Sequence, residues 1–329
     1  MSKKEKIGYL AGITAIVIMG FSFYFSKIAL NELNNQVFSL LSYRFTVSIL
    51  GVFLLERLRL IKLDYKGKNI KKLIGLCLVQ PVAYFIFETI GLSMVSSSEA
   101  GLMMALLPVI TIIMGMIILG ERISLIQGIF IAISIGGALF INLMGYEPGD
   151  SSNLGRIIFL ITVILGAWHG VLLREASEEF SSMERTAAMM ATGAIAFISI
   201  ALVQNLIRGT VKDYLLGIFN IKLLFPLLFL GLASAVLAMF LLNTAYTYLE
   251  VKKVSVISNS MIIVTIFAGV VLLKESFYWY HIVGSLLIIV GAIGVSIFDD
   301  AKDVSQGDEQ REHNYCDQDN CNLGYGDDR

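Results

Sequence analysis

Side chains that carry charge or exchange protons stand inside long apolar stretches of this chain, namely Arg44, Glu88 and His169. A charge at the centre of a bilayer costs at least about 2.5–3.5 kcal/mol on insertion scales, so these groups must face protein or water. Arg44 is suited to contact an anionic solute or a moving gate, and equally to form a structural ion pair or cap backbone carbonyls. Glu88 is suited to proton coupling or amine recognition, because burial disfavours a charged carboxylate, unless it lies at the wet outer interface. His169 is suited to titration near neutral pH, although a hydrogen-bonded core histidine is the commoner case.

Uncharged polar groups accompany them at similar depth in the apolar stretches. Trp168 is unusual there, because membrane tryptophans concentrate at interfaces, and it is suited to stack on a solute or to close a path. The other groups offer hydrogen bonds to a neutral or zwitterionic solute, or else bond across helices with about 0.6–2 kcal/mol each. They are Gln80, Tyr84, Asn243, Tyr246 and Asn259.

The elements that must position these groups are membrane-spanning helices. The chain is 56% hydrophobic and only 16% charged, against about 45–50% and about 25% in soluble domains. The apolar residues come in runs of about 20, enough to cross a hydrocarbon core about 30 Å thick. The pattern predicts an all-α membrane protein with ten spans: residues 7–26, 37–55, 73–92, 100–119, 125–143, 157–173, 187–207, 223–244, 254–273 and 281–298.

The loops between these spans differ in positive charge. The N-terminus and the even-numbered loops carry fifteen lysine and arginine residues, whereas the odd-numbered loops carry six. Loops rich in lysine and arginine stay in the cytoplasm. Both termini are therefore predicted to be cytoplasmic, in a multi-pass protein of the plasma membrane.

A repeat relates two halves of the chain. Residues 97–137 return 154 residues later as residues 251–291, with Glu121 aligned to Glu275. The two glutamates follow spans four and nine, where a carboxylate is suited to cap the next helix or to pair with a neighbouring cation. In span four, Pro108 removes one backbone hydrogen bond and can bend the helix.

The repeat also divides the chain into domains. Since five spans is an odd number, the second half enters the membrane from the opposite side, which predicts inverted repeats over residues 1–145 and 146–298. Residues 299–329 hold ten acidic and three basic residues. Such a segment cannot bury an apolar core and is predicted to be a disordered cytoplasmic tail.

Several ordered motifs extend beyond the repeat. The first span reads MGFSFYFSK over residues 19–27, and the third reads FETIGLSMVSSSEA over residues 87–100, followed by Pro108 and Glu121. Span two contains YRF around Arg44, and span six contains AWH around Trp168. Together these motifs resemble the EamA type of the drug/metabolite transporter superfamily, with its W-G-[ST]-x-[FY]-x-x-x-K opening and its A-L-x-Y-x-[ST]-A-x-x-A…L-x-P…G-E block. The resemblance covers about residues 7–298, with methionine in place of the usual first tryptophan and a weaker second block.

The resemblance implies a ten-helix fold and secondary transport, often efflux, of amino acids or other small metabolites. It also implies a central cavity lined by helices 1, 3, 4, 6, 8 and 9. Met19, Phe23 and Met104 thereby join the polar groups above as predicted cavity residues, while Arg44, Pro108, Glu121 and Glu275 are predicted to be structural or gating residues.

We therefore expect a carrier that works by alternating access in the lipid bilayer, with protons as a candidate coupling ion. It is expected to act on a small-molecule solute as a monomer or homodimer, without a cofactor, metal or nucleic acid. The chain lacks a G-x-x-x-x-G-K-[ST] sequence, which argues against direct use of ATP. The alternatives are a membrane-embedded enzyme, which would need clustered acid, base or metal ligands, and a receptor or scaffold that uses the tail.

Overall fold

The computed structural model describes residues 3–119, 124–144, 151–177, 179–249, 260–276 and 278–294. Ten helices follow the order of the ten predicted spans. They are α1 (Lys3–Glu32), α2 (Val37–Arg57), α3 (Ile70–Met94), α4 (Ser97–Met104 and Leu107–Leu119), α5 (Leu125–Met144), α6 (Ser151–Ser177), α7 (Ser182–Arg208), α8 (residues 221–248), α9 (Met261–Leu272) and α10 (Trp279–Gly294). A short helix, Val211–Gly217, connects α7 to α8.

The length and composition of the helices match a membrane environment. Within the described residues, α1, α2, α3, α6, α7 and α8 are each long and apolar enough to cross a membrane. The helices α5, α9 and α10 are apolar but shorter over the described part of the chain. A backbone in hydrocarbon must satisfy its own hydrogen bonds, which explains why the apolar runs fold as helices. The all-α fold predicted from the sequence is confirmed.

The fourth helix differs from its prediction as one continuous span. It begins earlier, at a capping box in which Ser96 and Glu99 satisfy each other's backbone N–H groups. It then breaks at residues 105–106, just before the second part begins at Leu107. Pro108 follows immediately, and its missing N–H group cannot continue the hydrogen-bond ladder of the first part.

The helices of the two halves pack against each other in a reciprocal pattern. Helix α1 packs along α8, and α3 packs along α6; α2 packs along α7, and α4 along α9. Helices α5 and α10 approach closely at Gly137 and Gly284. Exchanging the two halves leaves this set of pairs unchanged, as expected for inverted repeats related by a two-fold axis in the membrane plane.

Wide, π-helical turns occur at equivalent positions in α3 and α8, and another occurs in α9 at Ala268–Leu272. The turn in α3 covers Leu78–Ala83, and the turn in α8 covers Phe229–Leu237. At the 154-residue offset of the sequence repeat, the first corresponds to residues 232–237, which lie within the second. In α3 the helical backbone is interrupted at Gln80, whose φ and ψ are −136° and 120°. Such turns leave main-chain groups outside the regular ladder and are frequent at functional sites.

Candidate functional site

A cavity of about 150 Å³ lies between the two halves. This is below the roughly 300–1,000 Å³ of pockets for drug-sized ligands, so the cavity suits a small solute. Six residues predicted from the sequence line it: Met19, Phe23, Gln80, Tyr84, Glu88 and Met104. Arg44, predicted as a structural or gating residue, lines it as well. Among the described residues the walls come from α1, α2, α3, α4, α7, α8 and α9. The resemblance had implied helix 6, which contributes none of these lining residues, and it had not implied α2 or α7.

Arg44 and Glu88 form a buried ion pair that faces this cavity. The Arg44 Nη1 and Glu88 Oε2 atoms are 3.9 Å apart, with side-chain exposures of 8% and 9%. The Arg44 guanidinium also lies over the Phe85 ring, 4.4 Å from its centroid. At 3.9 Å the two charges attract each other without a direct hydrogen bond. Glu88 Oε2 has no hydrogen-bond partner among the described residues, so it can accept a bond from a group that enters the cavity.

Helical spacing explains how these side chains reach one wall. Arg44 and Ser48 are four residues apart on α2 and therefore share a face, and the Ser48 hydroxyl donates to the Arg44 carbonyl at 2.9 Å. On α3, Tyr84 and Glu88 have the same spacing, and both line the cavity. Each apolar helix thus carries two polar groups on the face that meets the other half.

Gln80 and Ser234 line the cavity from the wide turns of α3 and α8. They occupy equivalent positions at the 154-residue offset. The Ser234 hydroxyl is hydrogen-bonded to the Ser22 hydroxyl at 2.6 Å, which joins α8 to α1. Both halves therefore contribute a polar side chain and an irregular stretch of backbone to the same wall.

Another part of the lining, which is rich in methionine, was largely missed in the sequence. Met189, Met190, Met239 and Met261 join the predicted Met19 and Met104 around the cavity. Methionine is unbranched and polarizable, so such a wall adapts to apolar groups of different shape. In an apolar membrane span a methionine looks like ordinary packing, and position on a cavity face is the signal that distinguishes it.

Trp168 and His169 were predicted to face the cavity, but they do not line it in this structure. Trp168 on α6 is 43% exposed. His169 is half-buried, and its Nε2 atom has no hydrogen-bond partner within the described part of the chain. A role for either residue in the solute path stays a prediction.

Other predicted residues lie where less is described. Asn243 and Tyr246 belong to α8, but the structure describes only their main chain. Asn259 and Glu121 lie outside the described residues. Pro108 is described by its main chain, near the start of the second part of α4.

The end of the cavity near the α2–α3 loop is tied to the second half through Glu184. The Glu184 carboxylate accepts hydrogen bonds from the Asp64 N–H at 3.0 Å and from the Lys68 ammonium at 2.6 Å. The Tyr65 hydroxyl donates to the Glu184 carbonyl at 2.9 Å. Burial, together with the nearby Glu184 carboxylate, raises the pKa of Tyr65 to about 12, so it remains a donor at physiological pH.

At the opposite end, near the α3–α4 loop, Glu275 contacts the first half. Its carboxylate accepts hydrogen bonds from the start of α4, at Ser97 and Ser98. The helix that Glu275 caps is therefore α4, and not the following helix that the sequence had favoured. The reason is tertiary, because α9 packs along α4 and brings the turn after α9 to that helix end.

Comparisons with known proteins agree with this architecture. The model of the EamA-like transporter family matches residues 6–143 and again residues 153–297. The chain is 32% identical over 290 residues to "Uncharacterized transporter YcxC" of Bacillus subtilis, covering 88% of this chain and 92% of that protein. It is 22% identical over 301 residues to "Uncharacterized transporter YetK" of the same organism, covering 90% and 88%. A solved structure titled "Crystal structure of protein" shares the fold, with a TM-score of 0.58, 15% identity, and coverage of 88% of this chain and 96% of that one.

The chain belongs to the EamA-like transporter family. It is a multi-pass membrane transporter, and not an enzyme. The ten-helix fold with two inverted five-helix repeats, predicted from the sequence, is confirmed.

Proposed function

We propose that this protein is a secondary active transporter that exports small polar metabolites such as amino acids. In this proposal the two halves, residues 1–145 and 146–298, rock against each other and expose the cavity alternately to the two sides of the plasma membrane. The termini, with the acidic tail over residues 299–329, lie in the cytoplasm. The distribution of lysine and arginine between the loops supports this orientation.

The observation that carries the proposal is the Arg44–Glu88 pair beside a small cavity between the halves. An amino acid in its zwitterionic form has a carboxylate for the guanidinium and an ammonium group for the carboxylate. Each new contact is a charge-assisted hydrogen bond, the stronger class of hydrogen bond in proteins. At 3.9 Å the two side chains have no direct hydrogen bond to each other. A solute can therefore bind both without first breaking such a bond.

Coupling to protons is part of the same proposal. Glu88 is buried, and its Oε2 atom has no hydrogen-bond partner among the described residues. A carboxyl that binds a proton in one state of the cycle releases Arg44 from the ion pair. Protonation and solute binding would then compete for the same pair, which links the two fluxes.

Counterflow in proteoliposomes tests the proposal. Vesicles loaded with one unlabelled amino acid are diluted into a trace of the same radiolabelled compound, and the screen is repeated for apolar, polar, acidic and basic amino acids. Saturable accumulation of one class above that in protein-free vesicles is expected. Folded protein that accumulates none of them, nor other small polar metabolites, would contradict the proposed substrate range.

The direction of transport needs a separate measurement in cells. Cells that produce the protein are expected to retain less of the identified solute than cells with an empty vector. Greater retention in the producing cells would indicate uptake and contradict export.

A further inference from the structure

The α3–α4 loop is held from the second half by Glu275. The Glu275 carboxylate accepts hydrogen bonds from the Ser97 N–H at 2.6 Å, the Ser98 N–H at 2.9 Å and the Ser98 hydroxyl at 2.7 Å. These main-chain donors begin α4, where the helix dipole favours a negative charge. We call Glu275 with Ser97 and Ser98 the latch.

The same loop is held from the first half by Lys27. The Lys27 ammonium donates to the Leu92 and Val95 carbonyls, each at 2.7 Å, near the end of α3. A cation therefore meets the carbonyl end of α3, and an anion meets the amide end of α4. Because Lys27 is on α1 and Glu275 follows α9, this loop has contacts from both halves, and only the Glu275 contacts depend on the halves being close together at this end.

Glycine at position 269 makes room for the latch. A Cβ atom at Gly269 would lie 2.2 Å from the Ser98 hydroxyl oxygen and 2.3 Å from Glu275 Oε2. Both distances are far below ordinary contact, so a side chain at this position would displace the Ser98 hydroxyl and the Glu275 carboxylate from each other. The α4–α9 seam and the latch are thus parts of one contact.

The latch lies directly beyond one end of the cavity. Phe23 lines the cavity one turn before Lys27 on α1, and Met104 lines it six residues after Ser98 on α4. At a rise of 1.5 Å per residue, these separations are about 6–9 Å along the helix axes. The latch therefore lies within about two helical turns of the cavity lining, on the side of the α3–α4 loop.

We propose that Glu275 latches the α3–α4 end of the cavity shut, and that release of its carboxylate from Ser97 and Ser98 opens this end. The proposal rests on the alternating access proposed above, since it assigns one of the two closures to named residues. The acidic side chain acts as a positioning residue that holds the two halves together without contacting the solute.

Accessibility of a cavity residue tests the latch without any solute. In a background that lacks Cys77, Cys316 and Cys321, Met104→Cys reports the open cavity. A membrane-impermeant maleimide is added to either side of sealed vesicles, and the rate of labelling is measured.

Three variants are compared in this assay. Glu275→Gln keeps the size of the side chain and removes its charge, and Ser98→Ala removes one of the three bonds. Glu32→Gln serves as the matched control. Glu32 ends α1 at the same end of the molecule, and its carboxylate lies 3.7 Å from the exposed Lys222 ammonium.

Loss of a charge-assisted hydrogen bond shifts a two-state equilibrium by roughly tenfold or more, so Glu275→Gln is expected to speed labelling from the latch side by about that factor. Ser98→Ala is expected to give a smaller increase, and Glu32→Gln none. Labelling from the other side should not rise. Thermal unfolding and gel filtration establish that each variant is folded.

A folded Glu275→Gln variant that labels no faster than Glu32→Gln would overturn the proposal. An equal increase from both sides would overturn it too, because that result indicates general loosening. If Glu275→Gln does not fold, the milder Ser98→Ala variant decides by the same comparison. Since labelling needs no solute, a failure of the latch is distinguishable from a failure to find counterflow.

Discussion

Gly137 of α5 and Gly284 of α10 face each other where the last helices of the two halves cross. A Cβ atom at Gly137 would lie 2.8 Å from the Gly284 carbonyl oxygen, and a Cβ at Gly284 would lie 2.9 Å from the Gly137 carbonyl oxygen. Contact between backbones through small residues is a common basis of helix association in membranes. The two glycines therefore fix how closely the halves approach at this seam.

Replacing Gly137 with alanine is expected to force α5 away from α10. Overpacking of this kind lowers the free energy of unfolding by about 1–3 kcal/mol, measurable as a lower unfolding midpoint in detergent. Gly136→Ala is the matched control, because no atom lies within 4 Å of a Cβ built there. Alanine favours a helix over glycine by about 0.5–1 kcal/mol, so the control is expected to be neutral or slightly stabilising. Equal losses in the two variants would contradict the close contact.

The Arg44–Glu88 pair is expected to show strong coupling in a double-mutant cycle. Arg44→Met or Glu88→Met alone leaves one buried charge without its partner, at a cost of about 3–5 kcal/mol. The double variant, with two apolar side chains, is expected to regain most of that stability while losing binding of a charged solute. Unfolding midpoints and counterflow are measured on the same four proteins. Additive losses of stability would show that the two charges do not depend on each other.

The Ser22–Ser234 hydrogen bond gives a smaller coupling between α1 and α8. Interhelical hydrogen bonds in membranes average about 0.6 kcal/mol and reach about 1.7 kcal/mol in double-mutant cycles. Ser22→Ala, Ser234→Ala and the double variant are expected to give a value in that range from equilibrium unfolding in mixed micelles. A coupling indistinguishable from zero would mean that the 2.6 Å contact contributes nothing net.

Lys27 is expected to contribute more to stability than Lys222, although both lie near the same end of the molecule. Lys27 donates to two carbonyls, and hydrogen bonds to charged groups contribute about 1.5–3 kcal/mol. Lys222 makes an ion pair with Glu32 at 3.7 Å, and its side chain is 70% exposed, where such a pair contributes about 0–1 kcal/mol. Lys27→Met should therefore lower the unfolding midpoint clearly, and Lys222→Met should barely change it. A larger drop in the unfolding midpoint for Lys222→Met than for Lys27→Met would contradict the stronger contribution expected of Lys27.

Glu88→Gln is expected to abolish proton-coupled flux while leaving counterflow exchange weaker but measurable, because the amide oxygen still accepts a hydrogen bond from an ammonium group but carries no charge. The amide keeps the shape and hydrogen-bonding capacity of a protonated carboxyl but cannot release a proton. Flux of the identified solute is measured with and without an imposed pH gradient, and exchange is measured at equal pH on both sides. Wild-type flux that ignores the gradient would end the proton hypothesis.

The sequence predicted the helices well because the bilayer leaves few choices. Long apolar runs must satisfy their own backbone hydrogen bonds, so span order followed from hydropathy and the two-repeat arrangement from the offset of 154 residues. The break in α4 at residues 105–106 was not foreseen, because residues on both sides of it are apolar and Pro108 alone indicates only a bend.

The rotation of each helix about its axis is what the sequence could not supply. Arg44 and Glu88 were expected to face protein or water because charge avoids lipid, and the structure shows that each faces the other. Trp168 lies in a mainly apolar stretch of α6, so its sequence position did not reveal the direction in which it points. The methionines of α7 are uncharged, so their sequence positions do not indicate which way they face. Their place in the cavity wall follows from packing alone.

The wide turns at Gln80 and Ser234 bring irregular main chain to the cavity lining from both halves of the chain. A side chain can be exchanged by one mutation, whereas an amide group persists whichever residue occupies the position. Carriers that share this irregular backbone can therefore change the side chains of the cavity and recognise new solutes, while the main-chain groups of the turns stay the same. In such carriers, selectivity changes when side chains around the wide turns are substituted. The turns themselves, one from each half of the chain, stay unchanged.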